Sequence, residues 1–172
     1  NKHAATQLNT VLAKRAAAER KEENREQDAN AAERVAKRGL SYFKGKGVAK
    51  DYVEAMKWFR IAADLGSAEA EFGISTMYYR GFGVTKDRVE AQKWLRKSAN
   101  HGFGEAQFEL GDSYMDGRGE LQNTIAAHMW FNIAVANGFE RAKKCRDAAE
   151  SKLSSADIVE AQERAKRCMA SG

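Results

Sequence analysis

Hydrophobic positions between residues 67 and 102 fall into two stripes with helical spacing. The first stripe recurs every four residues: Ala70, Ile74 and Tyr78. The second follows the i, i+3, i+4, i+7 spacing of one helix face: Ala91, Trp94, Leu95 and Ser98. These stripes predict one helix from about Ala68 to Arg80 and another from about Arg88 to Asn100, with the intervening glycines ending the first helix.

The same pattern occurs three times at intervals of 36 residues. The columns that share this period are Trp58/Trp94/Trp130, Tyr42/Tyr78/Tyr114, Ala55/Ala91/Ala127, Gly45/Gly81/Gly117, Gly47/Gly83/Gly119 and Gly66/Gly102/Gly138. A period of this length indicates helical units that bury their apolar faces on one another. The pattern predicts an all-α fold, an α-solenoid of antiparallel helix pairs, with repeats at residues 31–66, 67–102 and 103–138. The tryptophans are expected in its core, where Trp94→Ala would cost roughly 3–5 kcal/mol.

Each copy departs from the shared pattern at one or two positions. Arg34 and Arg38 replace small and apolar residues in copy one, which predicts a partly solvated opening helix. Ser75 stands where the other copies have glycine. Glu120 and Asn123 occupy the loop of copy three, so that the conformation of this loop is the least certain part of the repeat.

The two ends differ from the repeats. Residues 1–30 are rich in charge and predict a helix from about Ala4 to Ala29, in which Leu8, Val11 and Leu12 are the large apolar residues. This segment fits a solvated capping helix or frayed tail, or alternatively a short coiled-coil or partner-binding arm. Residues 139–172 predict a capping helix pair. Its second helix starts at the S-x-x-D capping box of residues 154–157 and continues to about Met169.

Composition limits the function classes. The chain has 172 residues, 43% hydrophobic and 31% charged, and its net charge of +5 is spread along the sequence. Without a basic block, the positive charge argues only weakly for nucleic acid or anionic lipid, and we predict no nucleic-acid partner. No apolar run approaches the 18 residues or more that a transmembrane helix needs. Because the chain begins with Asn1 and not Met, a leader is conceivable upstream, and we favour a periplasmic or secreted location over a cytoplasmic one.

Candidate chemistry is sparse. The G-x-G triplets follow predicted helices and recur in every copy, which indicates helix termination and not a phosphate-binding loop. His3, His101 and His128 are scattered without the spacing of metal ligands, and no nucleophile motif is present. We therefore predict no catalytic residue, no metal site and no cofactor. Cys145 and Cys168 are expected on the two C-terminal helices, and we favour reduced thiols over a disulfide because a hairpin would offset them along its axis.

Two segments carry a family resemblance, AEFGISTMYYRGFGVTKDRVEAQKWLRKSANHG and AQFELGDSYMDGRGELQNTIAAHMWFNIAVANG. They resemble Sel1-like repeats, which are similar to tetratricopeptide repeats, over residues 31–138. The resemblance implies a TPR-like superhelix that acts as a protein-interaction scaffold or adaptor in bacteria. Some disulfide-rich relatives have been assigned a hydrolase activity on cell-wall or antibiotic-like ligands, but this chain lacks cysteines at those columns.

The first helix of each predicted repeat has a face that the repeat core does not require. In arrays that resemble tetratricopeptide repeats, first helices line the concave side, so this face is the candidate partner-binding surface. Its residues are Phe43, Lys44, Phe72, Thr76, Tyr79, Arg80, Phe108, Asp112, Met115 and Asp116. Aromatic anchors bounded by charge suit a peptide groove. The alternative is that these aromatics pack against neighbouring helices.

The function expected from these observations is a scaffold or adaptor that binds a protein or peptide on the concave face. The alternatives are the hydrolase that the resemblance suggests and a structural spacer that forms oligomers through its N-terminal helix. We expect a monomer without nucleic-acid partner or membrane insertion, with dimerisation through residues 1–30 as the other possibility.

Overall fold

The computed structural model describes the backbone of residues 2–170 and the side chains of residues 14–24 and 26–170. Within this range the chain forms eight α-helices and no strand. They are α1 (Lys2–Lys44), α2 (Tyr52–Asp64), α3 (Ala68–Arg80), α4 (Arg88–Asn100), α5 (Gly104–Asp116), α6 (Thr124–Ala136), α7 (Ala142–Glu150) and α8 (Ser155–Ala170). Helices α1/α2, α3/α4 and α5/α6 pack as pairs, and α2 on α3 and α4 on α5 join the pairs. The predicted solenoid is confirmed, with α3 and α4 at the expected bounds.

Capping interactions mark several of the helix boundaries. Asp51 and Asp87 accept hydrogen bonds from the first-turn backbone N–H groups of α2 and α4. Asn123 does the same for α6 with a single bond, from Ala126 at 2.9 Å. Gly81 and Gly117 end α3 and α5 in the left-handed region, at φ 75° and 71°. The loop of copy three therefore keeps the geometry of the other loops despite its altered sequence.

The core of each repeat depends on a matched pair of positions on its two helices. Gly39 and Gly111 lie directly against the rings of Phe59 and Phe131, and a Cβ atom at either glycine would come within 2.7 Å of a ring carbon. In copy two, Ser75 occupies the glycine column and a smaller residue, Leu95, replaces the phenylalanine. The Ser75 hydroxyl donates to the Ala91 carbonyl at 2.8 Å. The serine is thus accommodated by a change on the facing helix.

The tryptophan column is less buried than the sequence predicted. Trp130 is buried, but Trp58 and Trp94 are only half-buried. The column fully inside the array is the next residue along: Phe59, Leu95 and Phe131. Cations lie over the half-buried indoles, Arg38 at 4.3 Å from the Trp58 ring centroid and Lys97 at 4.8 Å from that of Trp94. Trp130 differs because α8 packs on α6 and joins the same hydrophobic cluster.

Helix α1 combines the predicted N-terminal helix with the first helix of repeat one. It runs without a break from Lys2 to Lys44, so the helix expected to end near Ala29 continues into the array. All described side chains from residue 14 to residue 30 are exposed. Arg34 and Arg38 are exposed too, which confirms the solvated opening face. The side chains of Leu8, Val11 and Leu12 lie outside the described residues.

The C-terminal helices cover two sides of α6. Helices α7 and α8 each pack on α6, and not on one another as a hairpin. The sequence of α6, TIAAHMWFNIAVA, is apolar on all sides, as a helix surrounded by neighbours must be. The predicted capping box starts α8, with the Ser154 hydroxyl donating to the Asp157 carboxylate at 2.7 Å. Cys145 and Cys168 pack in different hydrophobic clusters, and no disulfide joins them.

Candidate partner-binding surface

The first-helix face is the set of side chains on α1, α3 and α5 that lie off the core stripe of their own helix. The rings of Phe43 and Phe108 nevertheless reach Phe59 and Phe131 on the paired helices, at 6.3 Å and 5.8 Å between ring centroids. Its predicted members are Phe43, Lys44, Phe72, Thr76, Tyr79, Arg80, Phe108, Asp112, Met115 and Asp116. The hydrophobic ones divide by exposure. Phe43, Phe72, Phe108 and Met115 are half-buried, whereas Tyr79 is 44% exposed.

Three of the predicted anchors make ring contacts inside the array. Phe43 lies 5.4 Å from the Tyr52 ring centroid, Phe72 lies 5.3 Å from that of Phe103, and Phe108 lies 5.4 Å from that of Phe139. These rings therefore contribute to packing and also expose part of their surface. They form the floor of the face, and a mutation at any of them would affect stability.

Side chains project from this floor at both ends of the row, with Lys44 and Asp116, and in its middle, with Tyr79 and Arg80. Arg80 places its guanidinium 5.7 Å from the ring centroid of Tyr79, and both residues are exposed. Thr76, one turn earlier, donates its hydroxyl to the Phe72 carbonyl at 3.1 Å and is half-buried. Tyr79 and Arg80 are thus the aromatic and cationic groups best placed to contact a partner.

Charge changes sign along the face. Helix α1 contributes Lys37 and Lys44 together with Glu33, which pairs with Lys37 at 2.6 Å, whereas α5 contributes four carboxylates: Glu105, Glu109, Asp112 and Asp116. Arg118, in the loop after α5, forms ion pairs with Asp112 and Asp116. Two carboxylates per guanidinium leave this end of the face acidic.

The pKa of Glu109 reports this crowding of negative charge. Partial burial of its carboxyl group, followed by the nearby Asp112 and then Glu105, raises the pKa of Glu109 above its ordinary value, while Arg118 and Arg141 oppose the rise. Burial and the same Asp112 also raise the pKa of the Cys145 thiol on α7. The acidic end therefore extends from α5 towards α7.

Polar pairs that link the two helices of a repeat were missed by the sequence analysis. The Glu71 carboxylate is fully buried, with the Lys97 ammonium at 3.0 Å and the His101 imidazole at 2.8 Å. In copy three, Asn137 donates to Gln107 at 2.9 Å from the equivalent positions. The available signal was that both columns change from apolar to polar after copy one.

Two of the histidines have carboxylate partners on other helices. His101 contacts Glu71, and the buried His128 lies 3.3 Å from Glu150. These partners lie 30 and 22 residues away in sequence, so spacing along the chain could not reveal them. Among the described residues, no three histidine, cysteine or acidic side chains gather as metal ligands.

None of the helices described here has the length and apolar character to cross a membrane. Paired helices stacked in tandem, with exposed variable residues on the first helices, define an α-solenoid repeat protein. A family model described as "Sel1 repeat" matches residues 29–67, 68–103 and 104–139. The chain belongs to the Sel1 repeat family. Proteins of this family generally serve as protein–protein interaction scaffolds.

Two crystal structures from bacteria are similar to the chain. One is a Sel1 repeat protein from Oxalobacter formigenes, with 33% identity, a TM-score of 0.62, and 67% of this chain covered. The other is a protective antigen present in uropathogenic Escherichia coli strains that displays an SLR fold, with 30% identity, a TM-score of 0.70, and 81% covered. The chain spans 47% and 30% of the lengths of these two proteins. No curated protein matches it.

Proposed function

We propose that the chain is an adaptor that binds a protein or peptide partner on its first-helix face, the face expected to be concave. The observation that carries this proposal is a difference between two sets of columns. Columns that form the loops and the close helix contacts keep their residue type, as Gly45/Gly81/Gly117 and Ala55/Ala91/Ala127 do, although some buried columns also change, such as Phe59/Leu95/Phe131. Columns on the face change from copy to copy: Leu40/Thr76/Asp112, Lys37/Gly73/Glu109 and Lys44/Arg80/Asp116.

The gradient of charge defines the partner in chemical terms. An extended partner that crosses the array would place basic side chains against the carboxylates of α5 and acidic side chains against the α1 end. Tyr79 would give it an aromatic contact between the two ends. Complementary charge mainly sets orientation and association rate, and the aromatic contact supplies affinity.

The test uses side chains that project from the floor, because Phe72 and Phe108 also pack inside the array. We would immobilise the wild-type protein and a variant carrying Tyr79→Ala, Asp112→Asn and Asp116→Asn. A matched control carries Ile61→Ala and Asp64→Asn, both exposed on α2. Proteins captured from a lysate of the source organism are quantified by mass spectrometry.

The expected result is at least one protein that is captured by the wild type and the α2 control and lost with the face variant. Circular dichroism should show equal helicity in all three proteins. Equal capture by the face variant and the wild type would contradict the proposal. If the α2 control alone lost its partner, the binding surface would lie on the second helices instead.

A further inference from the structure

The two junctions between neighbouring repeats are built from different side chains. At the junction of repeats one and two, the ring of Tyr52 stacks on Phe82, with ring centroids 4.6 Å apart and an angle of 5° between the planes. Gly83, which follows Phe82, lies so close that a Cβ atom there would be 2.8 Å from the Tyr52 backbone. Two stacked rings therefore close this junction.

The junction of repeats two and three lacks both rings. Arg88 occupies the column of Tyr52, and Arg118 occupies the column of Phe82. A Cβ atom at Gly119, the equivalent of Gly83, would find the Gln92 side chain at 3.7 Å as its nearest neighbour. A cavity of about 270 Å³ opens here, lined by Arg88, Val89, Gln92, Lys93, Arg96 and Gly119. Arg88, in the column of Tyr52, lines this cavity, whereas Arg118 pairs with Asp112 and Asp116 instead.

The walls of the cavity combine apolar surface with positive charge. Val89 is 68% exposed beside it, and the aliphatic parts of the long side chains supply further apolar surface. Two of its three cations are paired within the array: Lys93 with Glu90 and Arg96 with Glu120. Across the described part of the chain, no hydrogen bond or ion pair reaches Arg88. Arg88 is therefore the cation available to a ligand.

We infer that this cavity is a second binding site, which accepts an aromatic side chain from an acidic peptide segment of a partner protein. The ring packs on Val89 and the aliphatic parts of the long side chains, and a neighbouring carboxylate of the peptide pairs with Arg88. The volume is below the range of about 300–1,000 Å³ that is usual for whole small-molecule ligands, so it suits one side chain. The site lies on α4 and the loop after α5, and it does not rest on the first-helix face.

The experiment measures binding of three fluorescent peptides by anisotropy. The probe is acetyl-Glu-Asp-Phe-Asp-Glu, and its companions replace the phenylalanine by alanine or all four acidic residues by lysine. The protein variants are Arg88→Glu and the double variant Arg88→Tyr with Arg118→Phe, which rebuilds the stacked pair. Lys57→Glu is the matched control, because it makes the same change of charge at an exposed site on α2.

The wild type should bind the aromatic acidic peptide about tenfold more tightly than either companion peptide. One ring in an apolar cavity and one charge pair each contribute a factor of about ten in affinity. Arg88→Glu and the double variant should each weaken binding of the probe about tenfold, and Lys57→Glu should weaken it less than about twofold. Equal affinity for the alanine peptide would overturn the inference. So would an effect of Arg88→Glu no larger than that of Lys57→Glu. The comparison of Arg88→Glu with Lys57→Glu tests the inferred site even if the double variant fails to fold.

Discussion

The glycine opposite Phe131 gives the sharpest prediction about stability. Gly111→Ser places a Cβ atom 2.7 Å from Cε1 and 2.8 Å from Cδ1 of the Phe131 ring, which has no exposed surface and little freedom to move. Overpacking of this kind costs about 1–3 kcal/mol. Serine improves helix propensity over glycine by about 0.5 kcal/mol, which is too little to offset the clash.

Copy two shows how the same serine is tolerated. There Leu95 replaces the ring, and the Ser75 hydroxyl donates to the Ala91 carbonyl at 2.8 Å. In copy three the equivalent acceptor is the Ala127 carbonyl oxygen, 3.3 Å from the Cβ position at Gly111. Phe131→Leu alone should cost about 1–3 kcal/mol because it leaves a void. Combined with Gly111→Ser, it should fill that void and make the hydrogen bond.

The two single variants each lower the free energy of unfolding. The loss in the double variant should be smaller than the sum of the two single losses by at least about 1 kcal/mol, a coupling typical of residues in contact. Thermal and urea unfolding followed by circular dichroism would measure it, at about 2–4 °C per kcal/mol for a chain of this size. The control combines Gly111→Ser with Ile61→Ala, an exposed change on α2 that should add without coupling. Additive losses in the Gly111/Phe131 pair would refute the argument that these two columns are matched.

Two further predictions concern single residues. Trp130→Ala should lower the free energy of unfolding by roughly 3–5 kcal/mol because the indole is buried, whereas Trp94→Ala should lower it clearly less because Trp94 is half-buried. Urea unfolding measures both losses, and equal losses would contradict the burial argument. The raised pKa of Glu109 means that the folded state favours its protonated form, so this group's contribution to stability falls as pH rises from the unfolded pKa through the folded one. Glu109→Gln should therefore raise Tm at pH 7 and have little effect at about pH 3, below the unfolded pKa; a lower Tm at pH 7 would exclude this effect.

The periodic columns were sufficient to predict the solenoid and most helix boundaries. Glycine, alanine and aromatic residues that recur at the repeat spacing indicate helix caps and close helix contacts. This pattern can be recognised in a single sequence. The burial of Trp58 and Trp94 could not be predicted in the same way. The exposure of these indoles depends on whether another helix covers the side of the array on which they lie, as α8 covers α6. The repeat period does not indicate which units are covered in this way.

The candidate surface was predictable as a face but not as a set of contacts. A helical wheel places Phe72 and Phe108 away from the core stripe of their own helices, and it cannot show that Phe103 and Phe139 reach them from the connecting segments. The buried Glu71 was missed for a related reason. Its partners lie on the other helix of the pair, and only the three-dimensional pairing brings Lys97 and His101 to its carboxylate.

The cavity at Arg88 shows how a repeat array can gain a site without a change of fold. Each junction is a separate contact between neighbouring units, so stability is close to a sum over units and junctions. The stack of Tyr52 on Phe82 closes one junction, and the glycine loop beside it keeps the same positive φ angles where Arg88 and Arg118 replace the rings. Loss of two rings at one junction therefore leaves the helix pairs in place and opens a cavity between them.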